Sequence, residues 1–238
     1  MHRVIVMLCM LFVLPFTTPV FAGDYTIASF PIPLMVESPD KGIFIEVTKE
    51  IAKRSGLDIE IKIFPTKRTV INFHENKVDG FFPALDVMIN KDISPSEEMY
   101  FKKDFVFVKE GSSPVSTIEG LAGKKVGITM GYPYAKKITD AQGFTIEVAP
   151  NDMVNIKKLA AGRIDVFIVE EKSGLQALKE SGVSGITYEA GKPISKQKVY
   201  YAFQPDAKGK EVAAKFSQAL SSMKKDGTFG KIMSKASQ

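Results

Sequence analysis

Cysteine is nearly absent from this chain. Cys9 is the only one in 238 residues, and it lies inside an apolar N-terminal stretch rather than at the small residues that follow, which argues against a lipid-modified N-terminus. A chain cleaved beyond that stretch carries no thiol, so disulfides, a thiol nucleophile and thiolate metal sites are excluded. Histidine is almost as scarce, with two in the chain; beyond the N-terminal stretch only His74 remains, next to Phe73 in a helical segment, and it reads as structural. No Gly-x-Ser-x-Gly turn, His-Glu-x-x-His helix or phosphate-binding loop occurs. These gaps argue against a catalyst, and neither a cofactor nor a metal is expected.

Long apolar runs are missing too, except at the start. Arg3, the apolar residues 4–14 and Val20-Phe21-Ala22 before Gly23 have the positive start, apolar middle and small-residue end of a secretory signal. Spanning a bilayer takes about 20 apolar residues, and Pro15, Thr17, Thr18 and Pro19 interrupt this run too early. Residues 1–22 are therefore read as a signal peptide and the mature protein as exported. Excess charge is small: without Arg3 there are 31 basic against 27 acidic residues, a net of +4. Lysines such as Lys49, Lys53, Lys157, Lys158, Lys208 and Lys210 are scattered along helical faces without interleaved aromatics, so no nucleic-acid partner is expected.

A doubled pattern stands out in what is present. Lys77-Val78-Asp79-Gly80-Phe81-Phe82 is echoed by Gly162-Arg163-Ile164-Asp165-Val166-Phe167-Ile168. In each copy an amphipathic segment runs into a tight turn, an aspartate and an apolar run suited to a buried parallel strand. Two such units suggest two similar lobes, and a cleft between lobes is a common place for a small molecule.

Strands and helices alternate almost throughout, which predicts an α/β fold with parallel sheets. Strands are expected at 24–30, 59–63, 81–82, 105–108, 126–129, 144–148, 186–188 and 198–203, those at 105–108 and 198–203 being crossings between lobes. Helices are expected at 44–54, ended by Ser55-Gly56, at 66–76 with Thr66 as cap, after Gly131-Tyr132-Pro133-Tyr134, after Asn151 or Asp152, after Glu170-Glu171 through Glu180, and at 211–224. Pro31-Ile32-Pro33 forces an irregular loop after the first strand.

The order of these segments resembles the family-3 extracellular solute-binding proteins, the type II periplasmic binding proteins of polar amino-acid ABC transporters. The resemblance runs over nearly the whole mature chain. It rests on Pro31-Ile32-Pro33, Gly42-Ile43-Phe44-Ile45-Glu46-Val47 before Ile51-Ala52-Lys53-Arg54-Ser55-Gly56, and Lys67-Arg68 before Val78-Asp79-Gly80. In the second half it rests on Leu121-Ala122-Gly123-Lys124-Lys125-Val126-Gly127, Gly131-Tyr132-Pro133-Tyr134, Leu159-Ala160-Ala161-Gly162-Arg163-Ile164-Asp165 and Lys225-Asp226-Gly227-Thr228-Phe229. It implies a two-lobed type II periplasmic binding protein fold with two crossing strands as hinge. Lobe 1 would be residues 23–107 and 203–238, and lobe 2 residues 108–202. It also implies a periplasmic monomer that hands a small polar solute to an ABC-type permease.

The resemblance further implies a carboxylate-binding arginine after the Val-Asp strand and an acidic, ammonium-binding residue after the Ile-Asp strand. Glu170 matches the second position, although it also suits a cap for the following helix. Residues 84–91 hold no arginine, and Lys91 falls nearest to that place. Arg68, near a helix start, suits an anion or a structural ion pair. Asp86, at a strand end, suits a ligand amine or a pair with Arg68. Thr66 sits where relatives often carry a stacking aromatic residue. Gly131, Tyr132 and Tyr134, at a strand-to-helix turn, can offer backbone N–H groups and rings to a ligand, or pack the helix start. The leading expectation is a solute-binding protein for an amino acid or related amine or carboxylate. Two others stand beside it: a dehydratase-like enzyme on the same scaffold, using Glu170 or Asp86 as acid or base, and a ligand-sensing module for a membrane receptor.

Overall fold

The computed structural model describes residues 24–237; the segment read as an export signal lies outside them. Its strands are β1 (Tyr25–Ser29), β2 (Ile59–Ile63), β3 (Gly80–Ala84), β4 (Ser94–Pro95), β5 (Tyr100–Lys109), β6 (Lys125–Thr129), β7 (Thr145–Ala149), β8 (Val166–Glu170), β9 (Ile186–Tyr188) and β10 (Ser195–Phe203). The helices are α1 (Ile43–Ser55), α2 (Thr66–His74), α3 (Lys136–Thr139), α4 (Asp152–Ala160), α5 (Glu171–Ser181), α6 (Ala207–Lys225) and α7 (Thr228–Met233). No helix among the described residues is long and apolar enough to cross a membrane.

The strands follow the order β2-β1-β3-β10-β5-β8-β6-β7, with β4 on β10 and β9 on β5. Two parallel triplets, β2-β1-β3 and β7-β6-β8, flank a central antiparallel pair, β5 and β10. Each triplet has its own core. In the first, Phe82, Tyr201, Phe203 and Phe216 pack edge-on or tilted with ring centroids 5.0 Å apart, under α1 and α6. The buried Tyr201 hydroxyl, 2.9 Å from Thr48 Oγ1, has the partner that a phenol removed from water requires. In the second, Phe107 stacks on Tyr188 at 4.8 Å beneath α4 and α5.

The repeated aspartate does the same work in both halves. Asp79 Oδ2 accepts from the N–H of Thr26 at 2.8 Å, and Asp165 Oδ2 from the N–H of Lys125 at 2.7 Å. The backbone N–H of each aspartate in turn donates to the carbonyl of that same residue, at 2.9 Å in both cases. Each aspartate thus pins the start of one parallel strand to the start of its neighbour, β1 to β3 and β6 to β8. At Gly80 the glycine is needed for space: a Cβ there would meet the Phe203 ring at 2.6 Å and the Ala202 carbonyl oxygen at 2.8 Å.

Several boundaries differ from expectation for local reasons. Thr66 does not cap α2; Pro65 holds the cap position and Thr66 is the first helical residue. The strands β5 and β10 extend to Tyr100 and Ser195, beyond the apolar runs 105–108 and 198–203, because pairing continues through the polar residues 100–104 and 195–198. Asn151 rather than Asp152 caps α4, its Oδ1 accepting from the Val154 N–H at 2.9 Å. After Gly131 comes an irregular turn, and α3 begins only at Lys136.

Replacing Asp79 or Asp165 by alanine strands a strand-start N–H. We expect a loss of about 1–2 kcal/mol for each, summing within about 0.5 kcal/mol in the double variant because the sites lie in separate halves. Denaturant unfolding of the three variants checks this.

Candidate functional site

The register of the central pair creates a gap. On β10, Tyr200 lies opposite Ala84, the last residue of β3, while Ser195 lies opposite Asp104, which itself lies opposite Glu170, the last residue of β8. Strand β3 runs toward lower numbers on β10, and β8 runs the other way. The C-terminal ends of the two parallel triplets therefore face each other across a stretch spanned by five steps of ladder, about 17 Å at the usual strand rise. Ligands of open α/β sheets bind outside such strand ends. Two surface hollows, one lined by Pro39, Lys49 and Ile61 and one by Asn76, Asp79 and Gln204, lie elsewhere, the second at the opposite ends of β1 and β3.

One face of the ladder carries Tyr100, Lys102 and Asp104 from β5 with Ser195 and Gln197 from β10, since cross-strand partners share a face. Asp104 is fully buried; it pairs with Lys102 and accepts from Ser195 Oγ at 2.6 Å. Gln197 Nε2 donates to the Pro133 carbonyl at 3.0 Å. The Tyr100 ring packs on Phe44 of α1 with centroids 6.1 Å apart, and its hydroxyl donates to Glu170 Oε1 at 3.1 Å. One side chain thus touches both halves.

Glu170 is half-buried at the end of β8. Its Oε2 accepts from the Ser173 N–H at 3.0 Å and from Ser173 Oγ at 3.3 Å, so it does cap α5. With Tyr100 on Oε1, both oxygens are held in place and one lone-pair direction remains for a further donor. Beside it Tyr132 donates to Asp152 Oδ2 at 2.9 Å, and the Thr129 hydroxyl donates to Asp152 Oδ1. Burial pushes the Asp152 carboxyl up from its ordinary pKa, against these hydrogen bonds and Lys102, which act to lower it. Burial, followed by the neighbouring carboxylates Asp152 and Glu170, holds the Tyr132 hydroxyl above the usual phenol range.

The other expected residues divide. Tyr134 is buried: its hydroxyl accepts from the Thr129 N–H at 2.9 Å and donates to the Ile168 carbonyl at 3.0 Å, so it braces β6 against β8. Gly131 has a positive φ of 78° but no helix start behind it, as α3 is four residues long and begins at Lys136. Lys91 is a correction. Its ammonium donates to Phe73 O at 3.1 Å, Asn76 Oδ1 at 2.8 Å and Gln204 Oε1 at 2.7 Å, and lies 4.7 Å from the centre of the Phe73 ring. It satisfies carbonyls at the C-terminal end of α2, the edge of the sheet away from the gap, and burial lowers its pKa.

Asp86 is at the gap edge, exposed, with Oδ1 accepting from the Tyr200 hydroxyl at 2.8 Å; its partner is this tyrosine, not Arg68. Arg68 makes no salt bridge among the described residues and sits on the exposed side of α2. Thr66, at the helix start, is half-buried. Sequence reasoning missed Tyr100, Lys102, Asp104, Asp152 and Gln197 as site residues. The alternation of Tyr100, Lys102 and Asp104 on one strand face was the signal available for three of them.

The sequence profile of the bacterial extracellular solute-binding proteins, family 3, matches residues 29–237. The chain belongs to this family. The L-cystine-binding protein TcyJ of Escherichia coli (strain K12) is 29% identical to this solute-binding protein over 213 residues, spanning 82% of this chain and 73% of the relative. The lysine/arginine/ornithine-binding periplasmic protein of the same organism is 24% identical over 207 residues, spanning 82% and 78%. Among solved structures, a histidine kinase sensor domain with similarity to periplasmic binding proteins superposes with a TM-score of 0.71 at 19% identity, covering 89% of this chain and 95% of that one. The solute-binding protein has the two-lobed fold of the type II periplasmic binding proteins.

The two tyrosines of the turn should separate under mutation. Tyr134→Phe leaves the Thr129 N–H without its acceptor and should cost about 1–3 kcal/mol. Tyr132→Phe, at a half-exposed position, should change unfolding by less than about 1 kcal/mol. Thermal and denaturant melts of both variants test the assignment.

Proposed function

We propose that this solute-binding protein closes over a small polar solute carrying an ammonium group, an amino acid or a related amine or carboxylate, and presents it as a periplasmic monomer to an ABC-type permease. On this reading lobe 1 comprises residues 23–107 and 203–238, lobe 2 comprises residues 108–202, and β5 and β10 form the hinge. The role is binding without catalysis.

The observation that carries the reading is Glu170, a carboxylate fixed by Tyr100 and Ser173 at the mouth of the gap. A positioned carboxylate with a free lone pair, partly shielded from water, suits an ammonium, because charge-assisted hydrogen bonds there are stronger than between exposed groups. Tyr132 supplies a ring beside it, and Thr66 and Asp86 stand at the opposite edge. Lys91 and Tyr134 leave the proposed set. Relatives named for cystine and for lysine, arginine and ornithine support a solute bearing amino groups.

Glu170→Gln keeps an oxygen to cap α5 while removing the charge. Isothermal titration calorimetry on refolded, ligand-stripped protein should show affinity for the best solute reduced about 10–100-fold, with the circular dichroism spectrum unchanged. Absence of binding by the parent protein across a panel of amino acids, amines and small carboxylates overturns the reading.

A further inference from the structure

The following rests on the binding role just given and concerns a residue that prepares the cleft for its solute. Asp152, the first residue of α4, is only 9% exposed. A carboxylate removed from water is costly unless other groups replace its hydration. Two hydroxyls do so here, one on each oxygen, and they lead in different directions.

The first anchors the carboxylate. Thr129 Oγ1 donates to Asp152 Oδ1 and in turn accepts from Asn155 Nδ2 at 3.1 Å. Thr129 and Asn155 are both buried, and a Cβ at Gly127 would meet Asn155 Oδ1 at 2.8 Å, so the amide is packed closely against β6. The carboxylate is thus held from behind by β6 and α4.

The second leads to the cleft. Asp152 Oδ2 accepts from the Tyr132 hydroxyl at 2.9 Å. Tyr132 is 37% exposed in the turn just beyond β6, next to β8, which ends at Glu170. The backbone of this turn is fixed by other bonds: the Tyr132 N–H donates to the Thr129 carbonyl at 3.3 Å, the Tyr134 N–H to the Tyr132 carbonyl at 3.0 Å, and Gln197 Nε2 to the Pro133 carbonyl at 3.0 Å. The Tyr134 ring backs that of Tyr132, with centroids 6.3 Å and planes 30° apart. What the backbone leaves free is rotation of the Tyr132 side chain, and the bond to Asp152 restrains it.

We infer that Asp152 is a positioning residue for solute capture, holding the Tyr132 ring through its hydroxyl in the orientation that the solute meets beside Glu170. The side chain is then ordered before the solute arrives, so binding does not have to immobilise it. A fixed phenol face suits contact with an alkyl chain or an ammonium.

A double-mutant cycle on affinity tests this, with Tyr132→Phe, Asp152→Ala and the two combined. The probe is the tightest-binding compound of a panel of amino acids, amines and small carboxylates, titrated by calorimetry into the refolded, ligand-stripped protein. Each single variant should bind it about 3–10-fold more weakly. The double variant should fall within about twofold of the weaker single variant, because both changes remove the same bond. If Asp152→Ala does not fold, Asp152→Leu, of more nearly equal volume, takes its place in the cycle. Either single loss below about threefold, or a double variant more than about twofold weaker than the weaker single variant, overturns the inference and leaves the binding role intact. If the parent protein binds nothing in the panel, the inference and the binding role fall together.

Discussion

The antiparallel ladder of β5 and β10 is the constraint on which the rest of the molecule depends. It joins two parallel triplets that would otherwise be separate α/β units, and its register fixes how far apart their ends stand. Its end next to β8 is held by Asp104, a buried carboxylate between Lys102 and Ser195. Removing one partner of such a pair typically costs about 3–5 kcal/mol, because the remaining charge stays buried.

The halves on either side are built by one rule applied twice. An aspartate placed just before a strand bonds the first N–H of the neighbouring parallel strand, through Asp79 and Thr26 in one half and Asp165 and Lys125 in the other. This part of the fold was legible because it is local: the turn, the aspartate and the apolar run lie within a few residues, and burial on both faces demands the apolar run. The cap at Gly56, with φ of 67°, was legible for the same reason.

The site was less legible because it depends on register and on where loops return. Lys91 lies seven residues beyond the end of β3, which suggests the gap, yet its loop runs back along the sheet and delivers the ammonium to the C-terminal end of α2. Tyr132 and Tyr134 differ by two positions, and only packing decides that one faces Asp152 while the other lies inside between β6 and β8. Tyr100 to Asp104 carry no apolar run to mark a strand, because three of the five residues are charged. In the folded chain those charges neutralise one another or face outward, and the backbone pairs as strand.

The two halves of the chain meet at Glu170. Its Oε2 is held within the β7-β6-β8 half, through Ser173 at the start of α5. Its Oε1 accepts from Tyr100, whose ring is packed against Phe44 of α1 in the other half. On the proposed reading, a cation that engages Glu170 shares that oxygen with Tyr100 or displaces the phenol from it, which would link occupancy to the contact between the halves through one carboxylate. A second carboxylate repeats the arrangement at the other edge, where Asp86 is held by Tyr200 of β10. The ends of both β3 and β8 are thus tied to the central ladder by a tyrosine hydroxyl, Tyr200 to Asp86 on one face and Tyr100 to Glu170 on the other.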